Sequence, residues 1–364
     1  MIKQTLQSAA GAVAIVALSL GSVSAQNLTI SAGLAKHHFW VGAHMDEFAD
    51  RVEENTDISF TRYYAGELVS IGGERDALDS GVIDVAAPLL APYHEGQFPL
   101  SDITQLPTYG TDSEMVTRAF TALMDSDREI TDGKTFYDYE IGDKDLKAWG
   151  LGATSAYVIS TSGEELQEPD DFSGMPMRAG SALHTVVLEQ LGVTPVTMPA
   201  AEAYGAMSRG TIDGIILSVG DWISYSLEEL LTYTITDVAI GHWQSYIAMT
   251  EEQWNRLSED QREHVDRIAR DVTQANAQHI EEQDAQVRED AAAAGAEFVP
   301  VSELSEAMQN HIADAARQTW IDWIEDLESD GHPARETARL WAELIIEQGG
   351  ELPDGVADYL DLDV

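Results

Sequence analysis

The sequence of 364 residues contains no cysteine. Disulfide bonds, zinc–thiolate sites, iron–sulfur clusters and cysteine nucleophiles are therefore excluded, as is a lipid anchor attached through cysteine. Lysine is also scarce, with five residues against fifteen arginines. The 20 basic residues face 64 acidic ones, which gives a formal net charge of −44. Nucleic-acid phosphates and anionic lipids repel such a chain, so generic binding to either is excluded.

Catalytic signatures are missing as well. The chain has no H-E-x-x-H, G-x-S-x-G, Walker or EF-hand pattern. With 64 acidic residues, the spacing of carboxylates carries no information about a catalytic pair. We therefore predict no catalytic residue, no metal site and no cofactor. A secreted hydrolase or lyase that acts on an organic acid stays open as an alternative.

What is present is typical of a folded, exported protein. The hydrophobic fraction is 44%, and eight Trp, twelve Tyr and eight Phe supply sizeable cores. The scarcity of lysine in so acidic a chain indicates adaptation to a salty medium, which screens charge repulsion. Lys3, the apolar run 12–20 and the small residues 23–25 form a signal-peptide pattern. We predict that residues 1–25 are cleaved off after Ala25, and that the protein is periplasmic, with no segment inserted in the membrane.

The hydrophobic pattern after residue 25 alternates between strands and helices. Strands are predicted over 28–32, 58–64 and 82–86, with helices between them, which indicates an α/β fold with largely parallel sheets. The second half repeats this order, so we predict two lobes. The first covers 26–150, with part of 240–300 returning to it, and the second covers 151–240. A long helix and C-terminal helices, in 251–364, are predicted to pack across both lobes.

Arg178 is the most informative single residue. It follows the apolar residues 175–177 and precedes a helix that begins at Ser181. Ligands of α/β lobes bind where strands end and helices begin, and a guanidinium there can hold a carboxylate through two parallel hydrogen bonds. Judged by position alone, an ion pair with one of the many acidic residues is equally compatible.

Aromatic and histidine residues provide further candidates. His37, His38 and His44 form a cluster whose alternatives are a ligand-binding loop, a metal site and ordinary loop residues. Aromatic residues near the ends of predicted elements either wall a pocket or pack in the core. Together with Arg178, the residues predicted to contact a ligand are His38, Trp40, Leu89, Tyr93, Tyr157, Leu217, Trp222 and Trp243.

One stretch resembles a known family. Residues 170–178 read D-D-F-S-G-M-P-M-R, and residues 191–214 read L-G-V-T-P-V-T-M-P-A-A-E-A-Y-G-A-M-S-R-G-T-I-D-G. In order and spacing these resemble the solute-binding proteins of tripartite ATP-independent periplasmic (TRAP) transporters, the dicarboxylate-binding-protein-like family. The resemblance extends over nearly all of the chain after residue 25.

The resemblance implies a two-lobed periplasmic-binding-protein (Venus-flytrap) fold with a long helix that spans both lobes. It further implies capture of a small organic acid by lobe closure, delivery to the TRAP-type membrane permease subunits, and a carboxylate-binding role for Arg178. A binding protein of an ATP-driven importer shares this fold and stays an alternative. Two positions depart from the family: Leu217 replaces a frequent Asn, and 152–157 offers Ser155 and Tyr157 where many members have a second Arg. These departures favour a more apolar acid.

Overall fold

The computed structural model describes residues 26–363, so the predicted signal peptide lies outside the described residues. The strands are β1 (Gln26–Ser31), β2 (Ile58–Tyr63), β3 (Val85–Leu89), β4 (Glu129–Thr131), β5 (Lys134–Thr135), β6 (Leu146–Gly150), β7 (Val158–Thr161), β8 (Pro176–Ala179), β9 (Thr194–Thr197), β10 (Gly214–Leu217), β11 (Tyr233–Thr236), β12 (Tyr246–Thr250) and β13 (Glu297–Pro300). The α-helices are α1 (Glu47–Asn55), α2 (Glu74–Asp79), α3 (Ser113–Met124), α4 (Phe136–Glu140), α5 (Ala182–Gln190), α6 (Ala200–Ser208), α7 (Trp222–Tyr225), α8 (Glu251–Arg256), α9 (Glu259–Ala294), α10 (Glu306–Ser329), α11 (Ala334–Glu347) and α12 (Val356–Tyr359).

The strands form two large sheets, each the centre of one lobe. The first sheet has the order β2-β1-β3-β12-β6, and the second has the order β13-β11-β7-β10-β8-β9. Helix α9 packs against both α1 and α3 beside the first sheet, while α5 and α10 pack together beside the second. The predicted two-lobed α/β fold is confirmed by the solved structures compared below. The residue boundaries of the lobes stay a prediction.

Both sheets are mixed but mostly parallel, as predicted, because a single strand in each runs against the others: β12 in the first sheet and β7 in the second. In the first sheet β1 runs parallel to β2 and β3, but β12 is antiparallel to both β3 and β6. In the second sheet β7 is antiparallel to both β10 and β11. The reason is that β6 and β7 carry the chain from one lobe to the other, whereas β11 and β12 bring it back in the opposite direction.

The two crossing segments, 151–157 and 237–245, lie side by side between the sheets. Leu151 N donates to Ser245 O at 2.9 Å, Thr154 N to Trp243 O at 2.9 Å, and Tyr157 N to Gly241 O at 3.0 Å. The paired segments therefore form a ribbon that joins the lobes.

Helix α9 connects the lobes a third time. Its 36 residues begin at the capping box of Ser258 and Gln261 and end at Gly295, which has the left-handed conformation. Thr273 Oγ1 donates to Gly150 O at 2.6 Å in the first lobe, and Asp284 Oδ1 accepts from Gly220 N at 2.8 Å in the second. A helix of this length extends about 54 Å at 1.5 Å per residue, which is enough to span both lobes.

Helix α10 also contacts both lobes. His311 Nε2 lies 3.0 Å from Leu191 O, next to α5, and Trp320 Nε1 donates to Pro107 O at 2.7 Å in the segment that follows β3. Within residues 26–363, no helix has the length and apolar character needed to cross a membrane.

Candidate ligand-binding site

A cavity lies between the lobes, at the ends of several strands. His38, Trp40 and Tyr93 come from segments that follow β1 and β3, whereas Arg178 and Leu217 lie on β8 and β10. The complete lining is Leu34, His38, Trp40, Ile71, Leu90, Tyr93, Tyr157, Arg178, Pro199, Ala200, Ala201, Leu217, Asp221, Tyr225 and Trp243. About 40 Å³ of the cavity is unfilled, which is several times the minimum that one water molecule requires, so it has room for a small ligand.

Arg178 is the only arginine or lysine in the described lining of this cavity. Its side chain is only 2% exposed. Nε donates to Met198 O at 3.0 Å, and Nη1 donates to Ile216 O at 3.2 Å. Among residues 26–363, no carboxylate lies within 4 Å of the guanidinium. Two of its five N–H bonds are thus committed to the backbone, and the charge has no anionic partner.

Gly180 makes room for this guanidinium. A β-carbon built at Gly180 would lie 2.7 Å from Arg178 Nη2 and 2.9 Å from Cζ. Real β-carbons do not approach other atoms so closely, and therefore any larger residue here displaces the guanidinium. The next residue, Ser181, caps α5 by accepting a hydrogen bond from His184 N at 3.1 Å.

A second charged group lies in the same cavity. Asp221 is 3% exposed, and its Oδ2 accepts from Ser218 Oγ at 2.7 Å. Its Oδ1 lies 3.3 Å from His38 Nε2, across the cleft. The backbone N–H of Trp40 donates to His38 Nδ1 at 3.2 Å, so Nε2 carries the ring hydrogen and donates to Asp221.

Three tyrosines line the cavity together with the two charged residues. Burial raises the pKa of Tyr157 and Tyr225 well above the ordinary value, and the nearby Asp221 carboxylate adds to this effect. Burial also raises the pKa of Tyr93, and the charge of the Arg178 guanidinium partly opposes this rise. All three phenols are therefore neutral hydrogen-bonding groups at neutral pH.

The lobes are closed around the cavity. Besides the His38–Asp221 contact, His37 Nε2 lies 3.2 Å from Ser224 O, and Ser181 Oγ donates to Gln105 Oε1 at 2.5 Å. Each pair joins a residue of the first lobe to one of the second.

The sequence profile of the DctP family, described as bacterial extracellular solute-binding protein, family 7, matches residues 30–325. The chain belongs to this family. The match confirms the family resemblance of the arginine-containing stretch. A solute-binding protein of Albidiferax ferrireducens is 27% identical over 168 residues, which cover 45% of this chain and 49% of that one. The match therefore spans about half the length of this curated relative.

Solved structures show the same fold. A TRAP solute-binding protein from a marine metagenome, specific for aromatic acids and bound to metahydroxyphenylacetate, has a TM-score of 0.78 and 22% identity, with 89% of this chain and 99% of that chain covered. A Rhodoferax ferrireducens TRAP solute-binding protein with benzoate has a TM-score of 0.75 and 22% identity, covering 89% and 98%. A pyroglutamate-specific TRAP protein from a marine metagenome has a TM-score of 0.74 and 18% identity, covering 88% and 99%.

In this family 7 protein, most of the residues predicted to contact a ligand line one cavity. Leu89 and Trp222 do not: Leu89 lies in the core next to the lining residue Leu90, and Trp222 stacks on Phe298 with 5.9 Å between ring centroids. In each case the prediction is wrong by one position, since the neighbouring residues Leu90 and Asp221 line the cavity instead. Consecutive side chains of a strand or helical turn point in different directions. The predicted residues that do line the cavity are His38, Trp40, Tyr93, Tyr157, Arg178, Leu217 and Trp243.

Several residues at the site were not predicted. Asp221 carries no sequence signal that separates it from the other acidic residues, although it immediately precedes the predicted Trp222. His184 is fully buried, and neither of its ring nitrogens has a hydrogen-bond partner among residues 26–363. Its ring centroid lies 5.0 Å from that of Tyr157 and 5.7 Å from that of Trp243. Burial and the Arg178 charge lower the pKa of His184 well below its ordinary value, so this ring is neutral.

The histidine cluster is divided among separate contacts. His37 and His38 reach across the cleft, whereas His44 lies 3.4 Å from Thr273 Oγ1 on α9. Burial lowers the pKa of His44 to about 3. Within residues 26–363, no group of three or more His, Asp or Glu residues is arranged to hold a metal ion.

Proposed function

We propose that this family 7 solute-binding protein captures a small organic acid by lobe closure, with Arg178 binding the carboxylate. The observation that carries the proposal is the buried guanidinium without an anionic partner. Burial of an unpaired charge is costly, and a bound carboxylate offsets the cost. The N–H bonds left on Nη1 and Nη2 suit the two oxygens of a carboxylate.

The remaining walls favour an acid with an apolar or aromatic body. Trp40 and Trp243 lie with three tyrosines around the cavity, and Leu217 supplies a further apolar side chain. Flat rings bury a large apolar area in contact with aromatic walls. Solved structures of the same fold contain metahydroxyphenylacetate and benzoate, which are ligands of this kind.

Transport is the proposed context. The family is one of extracellular solute-binding proteins, and the structural neighbours are TRAP proteins. We therefore expect export to the periplasm after cleavage behind Ala25, and delivery of the acid to TRAP-type membrane permease subunits that bind the closed form. We expect binding without chemical turnover, and neither nucleic acid nor a cofactor takes part.

Isothermal titration with a panel of small carboxylic acids tests the proposal, together with mass spectrometry of the acid retained during purification. Wild-type protein is expected to bind at least one acid stoichiometrically and to release it unchanged. Arg178→Ala should weaken binding by about 100-fold or more, because loss of a buried charged partner costs roughly 3–5 kcal/mol.

Arg51→Ala is the matched control, because Arg51 pairs with Glu47 on the solvent-facing side of α1 and its loss should leave affinity unchanged. Unchanged affinity in Arg178→Ala would refute the assignment of the site. Conversion of an acid into a product would support the alternative of a secreted hydrolase or lyase. An adjacent ATPase-coupled permease that accepts the loaded protein would support the ATP-driven importer.

A further inference from the structure

We propose that Asp221, the second charged residue in the lining of the Arg178 cavity, sets ligand specificity. It selects acids that carry one carboxylate and a neutral hydrogen-bond donor, such as a hydroxyl, and it rejects dicarboxylates. This inference rests on the proposed acid-binding function and adds a second recognition point to it.

The first step concerns the capacity of Asp221 to accept further hydrogen bonds. Its two oxygens accept one bond each, from Ser218 Oγ at 2.7 Å and from His38 Nε2 at 3.3 Å. A carboxylate has about four acceptor positions. Asp221 lines the cavity, and it therefore retains lone pairs for a ligand donor.

The second step concerns its charge. His38 donates to Asp221 as a neutral imidazole, because its Nδ1 accepts the Trp40 backbone N–H at 3.2 Å. In the part of the chain that the structure describes, no Lys or Arg nitrogen lies within 4 Å of the Asp221 carboxylate. The negative charge is thus buried and hydrogen-bonded but not neutralised by a cation.

The third step concerns the separation of the two charges. Arg178 and Asp221 line one cavity without forming an ion pair with each other. Both charges affect the pKa values of Tyr93, Tyr157 and Tyr225: Asp221 raises the pKa of each phenol and Arg178 lowers it. A ligand that occupies the space beside these phenols therefore meets a cation and an anion that are not paired with each other.

These three properties predict which acids are accepted. A monocarboxylate places its anion on Arg178 and its body among the aromatic rings. A hydroxyl on that body donates to Asp221, whereas a second carboxylate beside Asp221 meets an uncompensated negative charge in a water-poor space. Such like-charge contacts act as a barrier against the wrong partner.

Two matched series of acids test the inference by isothermal titration. The aromatic series is benzoate, meta-hydroxybenzoate and isophthalate, and the aliphatic series is butyrate, hydroxybutyrate and succinate. Within the series that binds, the hydroxy acid is expected to bind about fivefold or more tightly than the parent acid, and the dicarboxylate about 100-fold or more weakly.

Asp221→Asn keeps the shape of the side chain and removes its charge. We expect this variant to reduce the ratio of monocarboxylate affinity to dicarboxylate affinity at least tenfold. The ratio of the two affinities is informative. If Asp221 only held His38 and the closed lobes in place, Asp221→Asn would weaken the binding of every acid to the same extent. Asp102→Asn is the control: Asp102 accepts from Trp323 Nε1 at 2.9 Å and does not line the cavity, so the ratio should stay as in the wild type.

The outcomes separate the two proposals. If the three acids of a series bind within threefold of one another, or if Asp221→Asn leaves their ratio unchanged, the inference is overturned while acid binding stands. If no acid of either series or of the wider panel binds, acid binding itself is refuted, and the inference fails with it.

Discussion

At the scale of single residues, the position of one guanidinium depends on its immediate neighbours. Arg178 donates to two carbonyl groups and passes beside Gly180, where a β-carbon would lie 2.7 Å from Nη2. The atom that blocks this β-carbon is the far end of a flexible side chain. A substitution at Gly180 should therefore move the guanidinium and leave the backbone in place.

We predict that Gly180→Ala weakens acid binding by about 10- to 100-fold, the equivalent of losing a hydrogen bond to a charged group. The free energy of unfolding should change by less than about 1 kcal/mol, since alanine also restricts the unfolded chain. Titration calorimetry and chemical denaturation measure the two effects. Gly205→Ala is the control, because Gly205 lies beside the Arg209 guanidinium outside the cavity lining. Full affinity in Gly180→Ala would contradict the account of Gly180.

A buried carboxyl that does not line the cavity contributes to the pH dependence of stability. Glu140 is fully buried and accepts from Ser101 Oγ at 2.6 Å, and burial raises its pKa from 4.5 to about 7. The folded protein therefore holds a proton that the unfolded chain loses, and stability falls as pH rises from about 4.5 to about 7.

Glu140→Gln is expected to raise the free energy of unfolding above pH 7 by up to roughly 3 kcal/mol, since each pKa unit corresponds to about 1.4 kcal/mol. This gain in the free energy of unfolding should vanish toward pH 4.5. Chemical denaturation of both proteins at several pH values shows whether the variant is the more stable one above pH 7. Asp171→Asn provides the opposite case, because backbone N–H groups of Glu168 and Gln167 lower the pKa of Asp171, so this variant should be less stable at neutral pH.

The residues around the cavity show what sequence can and cannot predict at this scale. Arg178 was singled out because it lies between a strand and a capped helix, which is a local signal. Asp221 matters because it faces His38, which is distant in sequence, and Gly180 matters because the Arg178 side chain passes beside it. No local sequence pattern predicts either contact.

At the scale of elements, the connection between the lobes depends on close contacts of the crossing segments with α9. A β-carbon at Gly152 would lie 2.8 Å from both Ala277 N and Asn276 Oδ1. The carbonyl of Gly152 also accepts from Trp40 Nε1 at 2.7 Å. Here the obstacle is helix backbone, which cannot turn aside as a side chain does.

We predict that Gly152→Ala lowers the free energy of unfolding by about 1–3 kcal/mol, the usual cost of overpacking. Urea denaturation measures it, and Gly205→Ala again serves as the control. Stability equal to the wild type would mean that the crossing ribbon can move away from α9 without penalty.

Local rules predicted many of the element ends and the mostly parallel sheets, but not the one antiparallel strand in each sheet. Ser181 caps α5, and Gly81, Gly192 and Gly210 follow helices with positive φ, as their sequence positions indicate. The antiparallel strands β7 and β12 escaped prediction because their direction is set by which lobe the chain enters. The spacing of hydrophobic residues indicates whether a segment is a strand or a helix and which face is buried, but it carries no information on strand direction.

At the scale of the whole molecule, the net charge of −44 acts on every folded conformation. Some of it is locally offset: Arg62 reaches Asp46, Asp50 and Glu53 within 3.5 Å. Most of the acidic residues have no basic counterpart, since only 20 basic residues are available. Mutual repulsion therefore destabilises the compact state at low ionic strength.

We predict that the melting temperature rises with sodium chloride, with most of the gain below about 0.2 M, where the Debye length falls from about 30 Å to less than 10 Å. Differential scanning calorimetry from about 0.01 to 1 M salt measures it. A rise confined to high salt would indicate salting-out rather than screening, and no rise at all would refute the salt adaptation inferred from composition.

The two carbonyl groups that hold Arg178 belong to different parts of the second lobe, Met198 after β9 and Ile216 on β10. The guanidinium is thus part of the lobe's framework before any ligand arrives, and little of its conformational freedom remains to be lost on binding. Changes of specificity can then arise by exchanging the facing residues one at a time, while the anchor keeps its place. In directed evolution, Arg178 can therefore be kept as a fixed carboxylate-binding group while the other residues that line the cavity are varied.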